Sequence, residues 1–290
     1  MLAASVIGRE REVELLEAAL DSGAHVVLEG PPGTGKSTVL RWVASTRNTE
    51  FVLVEGNAEL TPARLIGAFD PAQVLARGYI PEIFVDGPLV SALRSGALLY
   101  IEELNRVPEE TLNVLLTVMS EGELHVPRLG RVAAAEGFGL VAAMNPFDAV
   151  GTARISSAVY DRTCRITMGY QTGDAEMLIV RQRAGAVSPD WDAALVELVR
   201  STRSHPDLRV GSSVRGAIDC TRLAIALAAR RDVAPDDWDV GLDAALVSLS
   251  GRVRMHESSA RTPEAVIAEL YAKAFGARPV DRTGDASGEA

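Results

Sequence analysis

Apolar positions in the first 170 residues follow two alternating patterns. Short, uninterrupted apolar runs, which are typical of buried strands, occupy 25–28, 51–54, 97–101 and 140–144. Apolar residues at helical spacing precede or separate these runs at 10–20, at 37–46 and from Pro108 onward. A further segment, 123–134, has the pattern of a hairpin. Strands that alternate with helices predict an α/β fold, in which a parallel sheet carries helices on both faces.

The pattern changes near Gly173, because strand-like runs stop and only long helical patterns follow. These helical patterns cover 193–202, 214–230, 238–251 and 263–275. We therefore predict an α/β domain over 1–172 and a small all-α domain over 173–276. Residues 277–290 are rich in Gly, Asp and Ala and have little to bury, which predicts a disordered tail.

A glycine-rich segment lies between the first predicted strand and the next helix. Gly30-Pro31-Pro32-Gly33-Thr34-Gly35-Lys36-Ser37 matches the pattern G-x-x-x-x-G-K-[ST] in full. Glycines let backbone N–H groups turn inward around phosphate oxygens, and the N-terminus of the helix adds partial positive charge. Lys36 can reach the β- and γ-phosphates, and the Ser37 hydroxyl suits Mg²⁺. This segment, with Thr38 after it, predicts a nucleoside triphosphate site.

Two carboxylates follow the apolar run 98–101, at the point where the predicted strand ends. Hydrolysis in this class needs one acid that holds Mg²⁺ and often a second that polarises the attacking water. We predict that Glu102 takes the metal role with Ser37, and that Glu103 takes the catalytic role. A solvated pair of glutamates at a helix start is the alternative.

Asn145 closes the next apolar strand, before Pro146. A polar amide at that point is suited to orient the water or to sense the γ-phosphate. The other interpretation is a turn residue that ends the strand.

Four blocks of the chain, in this order, resemble AAA+ ATPases of the MoxR type. The blocks are Gly30 to Ser37, 102–106, 143–146, and Gly151-Thr152 with Tyr160-Asp161-Arg162. The resemblance implies that the first domain binds ATP with Mg²⁺ and that the helical domain is its lid. Residues 6–10, Val-Ile-Gly-Arg-Glu, look like the N-terminal box of the family, so Val6 and Ile7 are implied to contact adenine.

The resemblance also assigns roles to the asparagine and to two arginines. Asn145 is implied to be sensor 1, and Arg215 in Gly211-Ser-Ser-Val-Arg is implied to be the sensor 2 arginine of the lid. Arg162 is implied to be an arginine finger that reaches the nucleotide of a neighbouring subunit, with Arg165 as the fallback. A finger of this kind implies a homo-oligomeric ring, typically a hexamer. An ordinary arginine at a helix end is the alternative for both Arg162 and Arg215.

The chain departs from the family pattern at three positions. Glu102 stands where aspartate is usual, Thr163 where phenylalanine is common, and Val214 where proline is usual. The first departure leaves the geometry at Mg²⁺ open.

An insert of the kind carried by this clade covers Leu65 to Leu89. Its apolar residues include Tyr79, Ile80 and 83–85. Two interpretations are open: these residues line a central pore or contact a partner, or they pack on the sheet.

Composition narrows the class of partner. Hydrophobic residues make up 47% and charged residues 23% of the chain, which excludes disorder throughout. A formal net charge of -10 argues against a nucleic-acid partner.

The most apolar stretches are short, so no membrane-spanning segment is expected. Without a signal-peptide pattern, Cys164 and Cys220 are expected to be buried thiols in a cytoplasmic protein.

The sequence thus predicts a ring-forming, ATP-hydrolysing chaperone that remodels or activates a protein partner. For MoxR relatives, the resemblance implies a partner or adaptor that often carries a von Willebrand factor A domain. Three alternatives are open: a nucleic-acid motor or loader on the same fold, a nucleotide-gated scaffold with little turnover, and a small-molecule kinase.

Overall fold

The computed structural model describes residues 6–146 and 156–279. The chain divides into two compact units, the first ending at Gly169 and the second starting at Tyr170. This division lies close to the boundary expected near Gly173. Gly151 and Thr152 of the family pattern lie outside the described residues, as does most of the expected tail.

The first unit alternates strands and helices, as the apolar pattern predicts. Its strands are β1 (His25–Glu29), β2 (Phe51–Glu55), β3 (Gly67–Phe69), β4 (Phe84–Asp86), β5 (Leu98–Glu102), β6 (Glu123–Val126), β7 (Gly130–Ala133), β8 (Gly139–Met144) and β9 (Thr163–Thr167). Its helices are α1 (Glu10–Asp21), α2 (Lys36–Thr46), α3 (Pro62–Ile66), α4 (Pro71–Arg77), α5 (Pro88–Ser95), α6 (Glu109–Glu121) and α7 (Ser157–Asp161).

Five of these strands form one parallel sheet in the order β2-β5-β8-β1-β9. Successive residues of a strand point to opposite faces. Val26 and Leu28 of β1 therefore enter one buried cluster, whereas Val27 enters the cluster on the other face. The predicted α/β fold with a parallel sheet is confirmed.

Two antiparallel pairs of strands in the first unit lie outside the five-stranded sheet. One is the predicted hairpin β6–β7. The other, β3–β4, lies in the insert 65–89. The side chain of Ile83 is buried, but Leu75, Tyr79 and Val85 are exposed. The packing interpretation therefore holds for Ile83, whereas a pore or partner role for the exposed residues stays a prediction.

The second unit is mainly helical, as predicted. Its elements are α8 (Gly173–Ala184), α9 (Pro189–Ser201), β10 (Leu208–Val210), α10 (Val214–Arg231), α11 (Trp238–Leu249), β11 (Arg254–Met255) and α12 (Pro263–Phe275). Side-chain N-caps begin four of the helices, at Thr172, Ser188, Asp237 and Thr262. The antiparallel pair β10–β11 corrects the all-α expectation. Strands of three and two residues are too short to display a period of two in the sequence.

The two cysteines differ in their surroundings. Both are free thiols, and Cys220 is buried, which raises its pKa to about 12. The expectation of burial is wrong for Cys164, which is exposed on β9 at the edge of the sheet. Among the described residues, no helix combines the length and apolar character that crossing a bilayer requires.

Candidate active site

The strand order of the sheet brings three of the predicted motifs together at the carboxyl ends of neighbouring strands. Strands β5, β8 and β1 are adjacent and parallel, so their carboxyl ends lie side by side. Gly30 follows β1, Asn145 follows β8, and Glu102 ends β5. The backbone N–H of Gly30 donates to the Met144 carbonyl at 3.2 Å, which joins two of these strand ends directly.

The phosphate loop has the backbone that its glycines predict. Gly33 and Gly35 have φ values of 77° and 90°, in the left-handed region that favours glycine. Gly35 is the N-cap of α2, so the helix begins at Lys36 and directs its free N–H groups toward the loop. Lys36 Nζ donates to the carbonyl oxygens of Gly30 at 2.7 Å and Pro31 at 2.9 Å. The ammonium thus lies over the loop, where phosphate oxygens would bind.

Ser37 meets the end of β5, as the metal prediction requires. The Ser37 hydroxyl donates to Glu102 Oε1 at 2.9 Å. The Tyr100 hydroxyl lies 3.3 Å from Ser37 Oγ, and the Tyr100 side chain is fully buried. Burial raises the pKa of Tyr100 above its usual value, so this phenol stays protonated. Sequence reasoning missed Tyr100; its signal is the period of two, which puts Tyr100 and Glu102 on one face of β5.

Glu103 directly follows β5 and has an unusual backbone conformation. Its φ of 54° and ψ of 46° lie in the left-handed region, which few residues other than glycine adopt. The Glu103 carboxylate pairs with Arg106 Nε at 3.0 Å, and both side chains are 42% exposed. The Glu103 carboxylate thus keeps access to solvent, and its catalytic role stays a prediction.

Asn145 is connected to the segment that carries Glu103. The side-chain amide of Asn105 donates to the Asn145 carbonyl oxygen at 3.4 Å. Asn105 is buried, whereas Asn145 is half-buried. This contact sets the end of β8 relative to the turn after β5, and Asn105 is a positioning residue that sequence reasoning did not single out.

The donor set fits Mg²⁺ only together with a nucleotide. Ser37 and Glu102 supply a hydroxyl and a carboxylate, which are the hard oxygen ligands that this ion prefers. Among the described residues, no group of three or more His, Cys, Asp or Glu side chains could hold a metal ion by itself. Mg²⁺ is commonly held by one or two protein ligands together with substrate phosphates and water, and this arrangement matches that case.

Comparisons with known proteins agree with this geometry. Residues 25–163 match the family described as AAA domain (dynein-related subfamily). These residues, which include the phosphate loop, form an AAA domain. An uncharacterized protein of Staphylococcus haemolyticus is 29% identical over 229 residues, which cover 75% of this chain and 84% of that protein. The gas vesicle ATPase GvpN of Haloferax mediterranei is 29% identical over 255 residues, which cover 82% of this chain and 71% of that protein.

A solved structure supports the fold of this chain. The Holliday junction branch migration motor RuvB of Thermotoga maritima has a TM-score of 0.56 and 19% identity, and the match covers 83% of this chain and 70% of that one. Likeness at this level of identity concerns the fold alone. The match to the AAA domain and the GvpN relative are consistent with the MoxR-type resemblance.

The segment 6–10 contacts the phosphate loop through Arg9, a residue other than those predicted. Arg9 is buried, and its Nη2 donates to the carbonyl oxygens of Thr34 at 2.8 Å and Gly169 at 2.5 Å. Val6 and Ile7 are half-buried beside it in sequence, and their contact with adenine stays a prediction. Arg9 therefore positions the phosphate loop through the backbone carbonyl of Thr34.

Arg162 lies at the end of the sheet opposite to its own phosphate loop. In the pairing of β1 with β9, Thr163 lies beside His25 and Thr167 beside Glu29. At 3.3 Å per residue, the four steps from Thr163 to Thr167 place the start of β9, which Arg162 directly precedes, roughly 13 Å from the level of Glu29. Arg162 Nε donates to Ser120 Oγ at 2.6 Å, and Nη1 donates to the Ala158 carbonyl at 3.1 Å. Arg162 therefore lies far from its own phosphate loop, and its role as a finger stays a prediction.

The other two arginines have different surroundings. Arg165 Nη1 lies 3.6 Å from Oε2 of Glu29 in its own chain, which makes it the weaker candidate for a finger. Arg215 is exposed in the first turn of α10, in the second unit. Its role as sensor 2 stays a prediction.

Gly56 is a further residue of this site that the sequence did not indicate. It follows β2, and its N–H donates to the Glu102 carbonyl at 2.7 Å. A Cβ atom at position 56 would lie 2.5 Å from the Glu103 carbonyl oxygen and 2.8 Å from that of Glu102. The backbone that carries both acidic residues can pass this close only to a glycine.

We expect Gly56→Ala to displace the Glu102–Glu103 backbone. Overpacking at such a site costs about 1–3 kcal/mol of unfolding free energy. A shift of the catalytic carboxylate lowers turnover by roughly 10- to 100-fold. Thermal unfolding and ATP turnover would measure both effects. Gly251→Ala, where an added methyl group meets open space, is the matched control, and equal behaviour of the two variants would contradict this account.

Proposed function

We propose that this chain is a MoxR-like AAA+ ATPase that hydrolyses ATP in a ring of identical subunits and uses the cycle to remodel or activate a protein partner. The observation that carries the proposal is the meeting of the phosphate loop, through Ser37, with Glu102 at 2.9 Å. Because Glu103 and Asn145 emerge at the same edge of the sheet, binding and hydrolytic groups converge on one location.

Each residue of the site has a chemical task in this proposal. Lys36 binds the β- and γ-phosphates, with the backbone N–H groups of Gly33 to Ser37 around them. Glu103 accepts a proton from the attacking water, and Asn145 orients that water or the γ-phosphate. Ser37 and Glu102 would hold Mg²⁺, which neutralises the charge that develops on the phosphates. Arg215 would contact the γ-phosphate from the lid.

The ring follows from the proposed finger. Arg162 lies far along the sheet from its own loop, so its guanidinium would complete the site of a neighbouring subunit. ATP then bridges two subunits and the products do not, so each state favours a different arrangement of the ring. A hexamer is the size that we expect.

A protein partner fits the charge and the exposed residues better than a nucleic acid. The net charge of -10 disfavours a polyanion. The exposed Leu75, Tyr79 and Val85 on the insert offer apolar contacts for a client. We propose a cytoplasmic client or an adaptor with a von Willebrand factor A domain. The GvpN relatives are gas vesicle ATPases, and this chain is proposed to share ATP hydrolysis with them, with its own client.

Steady-state ATP turnover tests the proposal against a scaffold that binds ATP and does not hydrolyse it. We expect Glu103→Gln to bind ATP and to lose at least about 100-fold in turnover, because the amide cannot accept the proton. Glu102→Asp keeps a carboxylate beside Ser37 and is expected to retain turnover. Absence of turnover in the wild-type protein, with ATP bound, would favour the scaffold instead.

A further inference from the structure

A buried carboxylate immediately precedes the phosphate loop and takes no part in the chemistry described above. Glu29 is the last residue of β1 and is 6% exposed. The Tyr160 hydroxyl donates to Glu29 Oε1 at 2.6 Å. Arg165 Nη1 lies 3.6 Å from Oε2, but the Arg165 side chain is 61% exposed. The phenol is therefore the close partner of this carboxylate.

The hydrogen bond from Tyr160 is a strong one by its chemistry. A phenol that donates to a carboxylate forms a short, charge-assisted bond. Partial burial, and then the bond to Glu29, raise the pKa of Tyr160 to about 12. The phenol consequently keeps its proton at physiological pH and remains a donor. Among the described residues, loss of this donor would leave the buried carboxylate with the exposed Arg165 alone.

Tyr160 belongs to the helix that precedes the proposed finger. Helix α7 has five residues, and one helical turn is marginal without tertiary contacts. Two side chains hold it against the first unit: Val159 is buried in the cluster on one face of the sheet, and Tyr160 bonds to Glu29. Arg162 follows directly and donates back to the Ala158 carbonyl of the same helix. Because Ala158 lies in α7 and Ser120 Oγ is the other acceptor of the Arg162 guanidinium, the location of this group depends in part on where α7 is fixed.

We propose that the Tyr160–Glu29 hydrogen bond positions the arginine finger, with Tyr160 as a positioning residue and not a catalytic one. The inference rests on the proposed function, since it assumes that Arg162 acts at a neighbouring subunit. The bond anchors the finger helix to the residue before the phosphate loop. The bond thereby connects two nucleotide sites: the one formed by the subunit's own phosphate loop, and the one on the neighbouring subunit that its Arg162 would reach.

Mixed rings separate this role from a general structural one. A Glu103→Gln subunit keeps its finger but has an inactive site, and an Arg162→Ala subunit keeps its site but has no finger. Together they form sites in which the first subunit supplies the finger and the second supplies the phosphate loop. Tyr160→Phe can be introduced into either partner, so its effect on finger and loop can be measured separately.

We expect an asymmetric result. Tyr160→Phe in the Glu103→Gln subunit should lower the turnover of the mixture by about tenfold or more, because misplacement of a reacting group by about 1 Å costs up to roughly 100-fold. The same change in the Arg162→Ala subunit should lower turnover less than about twofold, since no finger is present there to misplace. Equal losses of turnover in the two mixtures, or no loss in either mixture, would overturn the inference.

Controls keep the outcome independent of folding and of the proposed function. Tyr170→Phe removes a hydroxyl from a ring that packs under the Arg203 guanidinium at 3.9 Å, and it should leave both arms unchanged. ATP affinity and thermal unfolding of Tyr160→Phe are measured in parallel. The affinity is expected to stay near wild type, and unfolding is expected to remain cooperative with a lowered midpoint, because a buried acceptor loses its donor. If the mixture without Tyr160→Phe shows no turnover, the proposed function fails. If it shows turnover and the two arms are alike, only the positioning role fails.

Discussion

Replacement of Lys36 by alanine should abolish ATP binding. The Lys36 ammonium lies over the phosphate loop, held at 2.7 Å and 2.9 Å by two backbone carbonyl oxygens. Phosphate oxygens would take over these contacts, and charge-assisted hydrogen bonds contribute about 1.5–3 kcal/mol each. Two such bonds correspond to a loss of affinity of roughly 100-fold or more. Isothermal titration calorimetry with ATP and Mg²⁺ measures the change.

The chain provides a matched control for Lys36→Ala. Lys273 is its only other lysine, and it is exposed on α12 in the second unit. Lys273→Ala removes the same charge and should leave ATP affinity unchanged. If Lys36→Ala bound ATP with wild-type affinity, the assignment of the phosphate loop would be wrong.

For Arg162→Ala we expect intact ATP binding and lost hydrolysis. The finger acts on charge that develops during transfer of the phosphoryl group, so its removal affects the rate and not the affinity. Arginine fingers contribute about 10³–10⁵ to kcat in related enzymes. Turnover at saturating ATP, together with ATP affinity, measures the two properties separately.

Mixing experiments decide whether Arg162 acts in its own subunit or in a neighbour. Combination of Arg162→Ala with Glu103→Gln should restore part of the activity, because each mixed interface has one intact finger and one intact site. Arg47→Ala, which removes an exposed arginine that pairs with Asp21, should retain full turnover by itself. A mixture as inactive as its two components would remove the case for a shared site.

Much of the site was predictable because its signals are local. The glycines, lysine and serine of residues 30–37 follow one another in the chain, and a loop of that kind needs no distant partner to be recognised. The apolar run before Glu102 likewise indicates a buried strand that ends in acids. The motif therefore predicts its own backbone, including the left-handed glycines at 33 and 35.

Residues that act through contacts distant in sequence could not be found in this way. Gly56 approaches the Glu102–Glu103 backbone from another strand, and Arg9 holds the loop at Thr34 from the N-terminal box. Tyr160 reaches Glu29 across 131 positions of the chain. An isolated glycine, arginine or tyrosine has no periodic signal of its role, since its importance lies in what the fold places beside it. For the same reason, the sequence does not show that Cys164 lies exposed on an edge strand.

The sequence alone determined that this chain has an α/β domain with a phosphate loop, paired carboxylates and a following helical unit. Local hydrophobic periods and consecutive motif residues are sufficient for those conclusions. Only the tertiary structure decided the strand order β2-β5-β8-β1-β9, which brings Ser37 to Glu102 and carries Arg162 to the opposite end of the sheet. Strand order depends on packing between segments far apart in the chain, and many orders are compatible with one hydrophobic pattern, so the pattern cannot select among them.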